Sequence, residues 1–125
     1  MTVTRASFRG IIELAVRHMD DLTDRIRSLV ESGTVRVSEH GYDQLAEDDL
    51  TAREIIEGAV AGIRVEQYPD YPKGPCVLML QRDARGAPVH VLWGIPRGHR
   101  SPAVLVTAYR PDPDRWEETF QRRNP

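Results

Sequence analysis

Residues 75–112, PCVLMLQRDARGAPVHVLWGIPRGHRSPAVLVTAYRPD, decide the fold of this chain. They contain three apolar runs, at residues 76–82, 88–95 and 103–109, and the last of these is rich in the β-branched residues that favour strands. Short segments with glycine or proline separate the runs, so consecutive strands can pair in antiparallel fashion. The sequence therefore predicts a β-meander, to which the alternating run just upstream, at residues 63–68, adds a fourth strand.

The first half of the chain has a helical period instead. A long first helix is predicted over residues 7–32 of the N-terminal segment 1–33, because apolar residues recur there at alternating steps of three and four. Gly33 is a suitable stop. This apolar seam has two possible roles: it covers one face of the sheet, or it forms a docking or homodimerisation surface.

Three further elements are predicted from local signals. Ser38 can cap a second helix, and Thr51 can cap a third, with Glu54 at the spacing of a capping box. Residues 35–37 form either a short strand or an extended entry to the second helix. A short C-terminal helix is predicted from Asp114 onward. It would contain Trp116 and Phe120.

Together these elements predict one α+β domain over residues 1–125. The N-terminal helices would pack on one face of a four-stranded, mainly antiparallel sheet, and the other face would stay free. A free face bordered by basic loops is where we expect a functional site.

Composition excludes several classes of protein. The net charge is −2, but the first 71 residues are acidic and the remainder is basic, which suits a phosphate-rich partner on the second half. The single cysteine, Cys76, excludes an internal disulfide and a multi-cysteine zinc site. No apolar run is long enough to span a bilayer, and the first residues lack the layout of a signal peptide. We therefore expect a cytoplasmic protein with no membrane association.

Histidines supply the first candidates for chemistry, since this side chain can exchange protons near neutral pH. His40 lies at a strand-to-helix junction, where a general acid or base is well held. His90 lies within a strand and is either a buried structural residue or a wall of the site. His99 shares a loop with Arg97 and Arg100, and is either solvated or a phosphate contact.

The end of the last strand supplies a second set. Thr107 and Tyr109 are two residues apart, so both hydroxyls point to one face, and Arg110 follows them. Hydroxyls beside a guanidinium could cradle a phosphate oxygen, or they could simply be good strand formers. Tyr68 and Tyr71 either stack on unpaired bases or pack within the fold. No metal-ligand spacing and no nucleotide-binding loop is present, so no metal and no cofactor are predicted.

Several segments resemble a known family, the domain of unknown function 4258. The segments are Ser38-x-His40, Pro88-x-His90-Val91, and Val106-Thr107-Ala108-Tyr109-x-Pro111-Asp112 followed by Trp116. The resemblance covers residues 35–118. It implies the fold of the RelE, barnase, EndoU and colicin nucleases, and a ribonuclease toxin of a type II toxin–antitoxin system. The loop at residues 68–76 resembles a branch whose neighbouring gene encodes a small zinc-finger, antitoxin-like protein, which implies such a partner.

The correspondence with this family is partial. His40 matches its early histidine, and Thr107 and Tyr109 match its late strand. Gln44 and Asp48, however, stand where the family often has arginine.

The leading hypothesis is a metal-independent endoribonuclease. His40 would be the acid–base group, His90 a second one, and Arg110 the group that stabilises phosphate charge. Tyr109 is counted with these catalytic residues and would position the phosphate or the sugar together with Thr107. The residues predicted to bind the RNA are Thr107, Arg97, His99, Arg100 and Tyr68. The alternative is a non-catalytic protein-binding or dimerisation module on the same fold, which the acidic first half and the missing arginines favour.

Overall fold

A computed structural model describes residues 21–125, in which three helices with one short strand between the first two precede four longer strands. The helices are α1 (Asp21–Glu31), α2 (Glu39–Glu47) and α3 (Ala52–Gly58), which runs into a 3-10 turn (Ala59–Ala61). The strands are β1 (Val35–Val37), β2 (Ile63–Tyr68), β3 (Cys76–Arg82), β4 (Pro88–Gly94) and β5 (Ala103–Tyr109). The α+β class is as predicted. Residues 7–20 of the predicted first helix lie outside the described residues.

The sheet has five strands and is mixed, where the sequence predicted four. Its order is β1-β5-β4-β3-β2. Strands β2 to β5 are antiparallel neighbours, as expected, and β1 pairs in parallel with β5, with Val35 opposite Ala103. A three-residue strand is too short to show an alternating pattern, which is why the sequence left residues 35–37 undecided.

Local capping signals define the ends of the helices. The Ser38 hydroxyl accepts a hydrogen bond from the Gly41 backbone N–H at 2.9 Å and donates to the Val106 carbonyl at 2.9 Å. Thr51 and Glu54 form the predicted capping box in full. Glu54 also accepts from the Ala84 backbone N–H at 3.0 Å, which ties α3 to the β3–β4 turn. The Ser38 cap therefore fixes α2 against β5 and sets the position of the residues that follow it.

The helices cover one face of the sheet and form the hydrophobic core with it. Leu22, Ile26 and Val30 of α1 are buried in this core, so the described half of the apolar seam packs inside the chain. Trp93 lies fully buried on this helix-covered face, where its indole N–H donates to the Gln81 side chain at 2.7 Å. Gln81 in turn donates to the Ile55 carbonyl at 2.7 Å, so the polar atoms of this part of the core are paired.

The predicted C-terminal helix is wrong. Beyond β5 the chain forms turns, with one β-bridge between Trp116 and Arg123. The Glu117 backbone N–H donates to the Arg122 carbonyl at 2.8 Å, so the two ends of the segment pair with each other. Phe120 has a φ of 59°, a left-handed conformation that is incompatible with a helix at this point. Residues 112–125, the C-terminal segment, thus form an irregular cover over one end of the sheet.

Candidate functional site

The sheet face opposite the helices, the open face, carries several of the polar and aromatic residues selected from the sequence. An irregularity in the β4–β5 pairing decides which residues of β5 reach it. Leu92 pairs with Thr107, but its neighbour Trp93 pairs with Leu105, so β5 has one extra residue at this point. This bulge lets Leu105 point into the core while Thr107 and Tyr109 lie on the open face.

One depression at the β1 end of the open face is basic. This basic pocket has a volume of about 380 Å³, and the polar side chains lining it include Arg36, Ser38, His40 and Lys73. Arg36 comes from β1, His40 from the first turn of α2, and Lys73 from the loop between β2 and β3. His40 is exposed and lines this pocket.

The second depression is aromatic. This aromatic pocket has a volume of about 450 Å³ and is lined by Tyr68, Tyr71, Leu78, Leu92, Thr107 and Tyr109. Tyr71 lines both pockets, so the two depressions are neighbours on the same face. Burial raises the pKa of Tyr109, and burial together with the hydrogen bond to Glu66 raises the pKa of Tyr68. Both phenols are therefore neutral hydrogen-bonding groups at physiological pH.

His90 lies under the C-terminal segment and is fully buried. Its Nε2 lies 2.7 Å from the Phe120 carbonyl oxygen, so this nitrogen carries the hydrogen and donates it. The ring packs edge-to-face on Trp116 at 4.3 Å between centroids and on Tyr109 at 5.5 Å. Burial lowers the pKa of His90, which favours the neutral ring. Of the two environments that the sequence left open for His90, the structure has the buried one, and a second acid–base group at this position does not reach solvent.

Arg110 lies in a different depression from His40. Its guanidinium donates to the Asp83 carboxylate at 2.9 Å, and its backbone N–H donates to the Asp48 carboxylate at 2.9 Å. Backbone hydrogen bonding from Ala87, with a further contribution from Arg110, lowers the pKa of Asp83. The three residues of the predicted cluster, His40, Tyr109 and Arg110, thus line three different depressions.

The predicted basic loop borders the basic pocket. Arg97, His99 and Arg100 are all exposed between β4 and β5. The Arg97 backbone N–H donates to the Lys73 carbonyl at 2.9 Å, which joins this loop to the one that carries Lys73. His99 Nδ1 lies 3.0 Å from the Arg97 carbonyl oxygen. The loop thus borders the pocket, and its first two residues, Ile95 and Pro96, line it.

Residues 37–110 match the family described as Domain of unknown function (DUF4258). This match covers more than half of the chain. The chain belongs to this family. Neither the curated proteins nor the solved structures gave a match.

The DUF4258 match includes His40, both tyrosine-bearing strands of the aromatic pocket, and Arg110. Trp116 and the rest of the C-terminal segment lie beyond it. The cover that buries His90 is therefore outside the matched residues, whereas the two pockets are almost wholly inside them. Asp48 has a structural role here, because its carboxylate accepts the Arg110 backbone N–H.

Two residues of the basic pocket were not selected from the sequence. Arg36 and Lys73 lie far apart in the chain and in segments whose structure was unclear or irregular. The available signal was the strand β1: once Val35 and Val37 pair with β5 from the core side, Arg36 must point to the opposite face, beside Val104. Nothing in the loop at residues 69–75 indicated where Lys73 would lie.

The described residues give no sign of a metal site or a membrane span. Within residues 21–125, no three His, Cys, Asp or Glu side chains are grouped so that they could hold a metal ion. No helix in the same part of the chain is long and apolar enough to cross a bilayer. Cys76 is buried, and burial raises the pKa of its thiol, so it is a poor nucleophile.

Proposed function

We propose that this protein is a metal-independent endoribonuclease that binds RNA across the open face, with His40 as its acid–base group. One observation carries the proposal: His40 opens onto a pocket that also holds Arg36 and Lys73, next to an aromatic pocket on the same face. Cations beside a proton-transfer group are what phosphodiester cleavage requires, because negative charge develops on the phosphate in the transition state.

The chemistry follows from the residues present. His40 would accept the proton of the ribose 2′-hydroxyl as its oxygen attacks phosphorus. The bond from phosphorus to the 5′-oxygen then breaks, and this oxygen takes a proton from water. The products would be a 2′,3′-cyclic phosphate and a 5′-hydroxyl. Arg36 and Lys73 would stabilise the charge on the phosphate, the role that sequence reasoning had given to Arg110.

The biological setting of the proposal rests on sequence resemblance. The likeness of residues 35–118 to RelE-type nucleases favours a cytoplasmic toxin of a type II toxin–antitoxin system, whose partner would be an antitoxin-like protein of the zinc-finger type. Expression of the chain alone should then arrest growth, and His40→Ala should remove the arrest. Normal growth with full expression of the folded wild-type protein would count against the toxin role.

The direct test is cleavage of a mixed cellular RNA pool by purified protein in the presence of EDTA. We expect cleavage by the wild type and a loss of about 100-fold or more in His40→Ala, in line with general acid–base catalysis. Tyr42→Ala is the matched control, because Tyr42 lies two residues further along α2, is 58% exposed and lines neither pocket. Equal cleavage by wild type and His40→Ala would remove His40 from the mechanism.

A second candidate, a binding module without catalysis, is favoured by the position of Arg110. The guanidinium expected to stabilise phosphate is paired with Asp83 and lines a different depression from His40. A homodimer would have to use surfaces other than Leu22, Ile26 and Val30, which are buried within the chain. Absence of cleavage by well-folded wild-type protein would favour this candidate, and its mass in solution would then show whether it is a dimer.

A further inference from the structure

The aromatic pocket has a composition that the proposed catalytic chemistry does not use. Three tyrosines and two leucines line it together with Thr107, and among residues 21–125 no charged side chain lines it. Such a lining suits a flat apolar ligand with polar edges, since the walls offer ring faces and hydroxyls but no partner for a charge. A phosphate group fits the basic pocket and does not fit this one.

Two of the three rings are held in place before any ligand arrives. The Tyr68 hydroxyl donates to Glu66, and Glu66 accepts two further hydrogen bonds from Arg123, at 2.6 and 3.2 Å. The Tyr109 ring packs edge-to-face on the buried His90. Rings that are already ordered lose little conformational entropy on binding, which favours a stacked ligand.

The third ring joins the two pockets. Tyr71 is 42% exposed and lines both of them. Its backbone is held by bonds from the Gly74 N–H to the Tyr71 carbonyl, at 3.0 Å, and from the Tyr71 N–H to the Tyr68 carbonyl, at 3.4 Å. A ligand with a phosphate in the basic pocket would therefore place its next group against Tyr71 and in the aromatic pocket.

We propose, as a deeper statement of the RNA-binding function above on which it rests, that the aromatic pocket binds an unpaired nucleobase whose phosphate lies in the basic pocket. A base can enter a walled pocket only when it is not stacked in a duplex, so the substrate class is single-stranded RNA or an unpaired loop. Stacking on tyrosine tolerates every base, because each base has a π-face. Weak sequence preference is therefore expected.

The test compares two fluorescent probes by anisotropy with the full chain: a 2′-O-methyl pentauridylate, which cannot be cleaved through its 2′-oxygen, and the same backbone without bases. We expect the uridine probe to bind about 10- to 100-fold more tightly than the abasic one. Tyr68→Leu and Tyr71→Leu should remove most of this difference, and Tyr68→Leu, at a position outside the basic pocket, should leave binding of the abasic probe unchanged. Lys73→Gln should weaken both probes.

Matched controls separate the base subsite from general loss of structure. Tyr68→Phe keeps the ring and should bind the uridine probe within a few-fold of the wild type, whereas Tyr42→Leu removes an exposed tyrosine outside both pockets and should have no effect. Tyr71→Leu serves if Tyr68→Leu does not fold, because Tyr71 is exposed.

The outcomes separate this inference from the proposed function. Equal binding of the two probes would overturn the base subsite and leave the RNA-binding function standing. Failure of both probes to bind would overturn the proposed function and the subsite with it. Tighter binding of the uridine probe that survives Tyr68→Leu and Tyr71→Leu would overturn the assignment of the base to this pocket.

Discussion

The two faces of the sheet are built on different principles, and β4 shows the contrast within one strand. Val89, Val91 and Trp93 point to the helix-covered face and are fully buried. Of the residues between them, His90 is buried only because the C-terminal segment lies on it, and Leu92 is partly exposed. The helix-covered face thus forms the hydrophobic core with the helices. The open face is covered at one end by the irregular C-terminal segment and has pockets beyond it. Stability should depend mainly on the first face, and function on the second.

The largest expected effect on stability comes from a substitution on the helix-covered face. Trp93→Ala should lower the free energy of unfolding by about 3–5 kcal/mol, because it opens a cavity and leaves the Gln81 side chain without its indole partner. Leu92→Ala, one residue away on the open face, should cost roughly 1 kcal/mol. Urea denaturation monitored by circular dichroism measures both values. Similar losses for the two variants would show that the open face carries as much of the stability as the core face.

The same contrast explains what could be predicted from the sequence. The helix-covered face was predictable, because continuous apolar runs and capping residues are local signals: β3, β4 and β5, the Ser38 cap and the Thr51 capping box are where the sequence placed them. The C-terminal segment was not. Its contacts, such as Phe120 with His90 and Arg123 with Glu66, join residues far apart in the chain, and no periodicity encodes them.

The candidate site shows both situations. His40, Thr107 and Tyr109, which were selected from the sequence, line depressions of the open face, where the Ser38 cap and the bulge in β5 set their direction. Arg110 directly follows Tyr109, yet it is held away by Asp83 on a neighbouring turn. Arg36 and Lys73 became visible only when β1 and the loop after β2 had positions in space. Which cationic side chains lie in the same pocket as His40 is decided by tertiary structure and not by local sequence.

The buried His90 gives a second way to sharpen the comparison, through pH. Burial lowers the pKa of His90 below its ordinary value of 6.5, so the unfolded chain binds a proton that the folded chain resists. The contribution of the neutral His90 ring to the free energy of unfolding is therefore complete above pH 6.5. It is lost as the pH falls from there through the pKa of His90 in the folded state. Unfolding midpoints in urea, measured from pH 8 to pH 5, should fall over this range, by less than the loss in Trp93→Ala.

The variant His90→Phe should flatten this part of the profile, because it removes the titrating ring and keeps an aromatic side chain beside Trp116. Glu66 titrates in a separate window. Its hydrogen bond from Arg123 lowers its pKa from the ordinary value of 4.5, so its contribution is lost only at more acidic pH. A wild-type profile that is level between pH 8 and pH 5, or one unchanged in His90→Phe, would contradict the assignment to His90.

The smallest expected effect is on the cover itself. Arg123 binds Glu66 through two hydrogen bonds and lies 4.7 Å above the Trp116 ring, but the ion pair is partly exposed and should contribute about 1 kcal/mol or less. Arg123→Gln should therefore leave global stability almost unchanged while it loosens residues 112–125.

Tryptophan fluorescence can measure this loosening. Of the two tryptophans, Trp93 is held in the core, so a red shift and increased quenching of fluorescence in Arg123→Gln would report exposure of Trp116. Arg53→Gln, which removes an exposed ion pair with Glu57 on α3, is the control and should leave the spectrum unchanged. If Arg123→Gln instead lowered stability as much as Trp93→Ala while Arg53→Gln did not, the C-terminal segment would be an integral part of the core, and the distinction between a face that sustains the fold and a face left open for a ligand would fail.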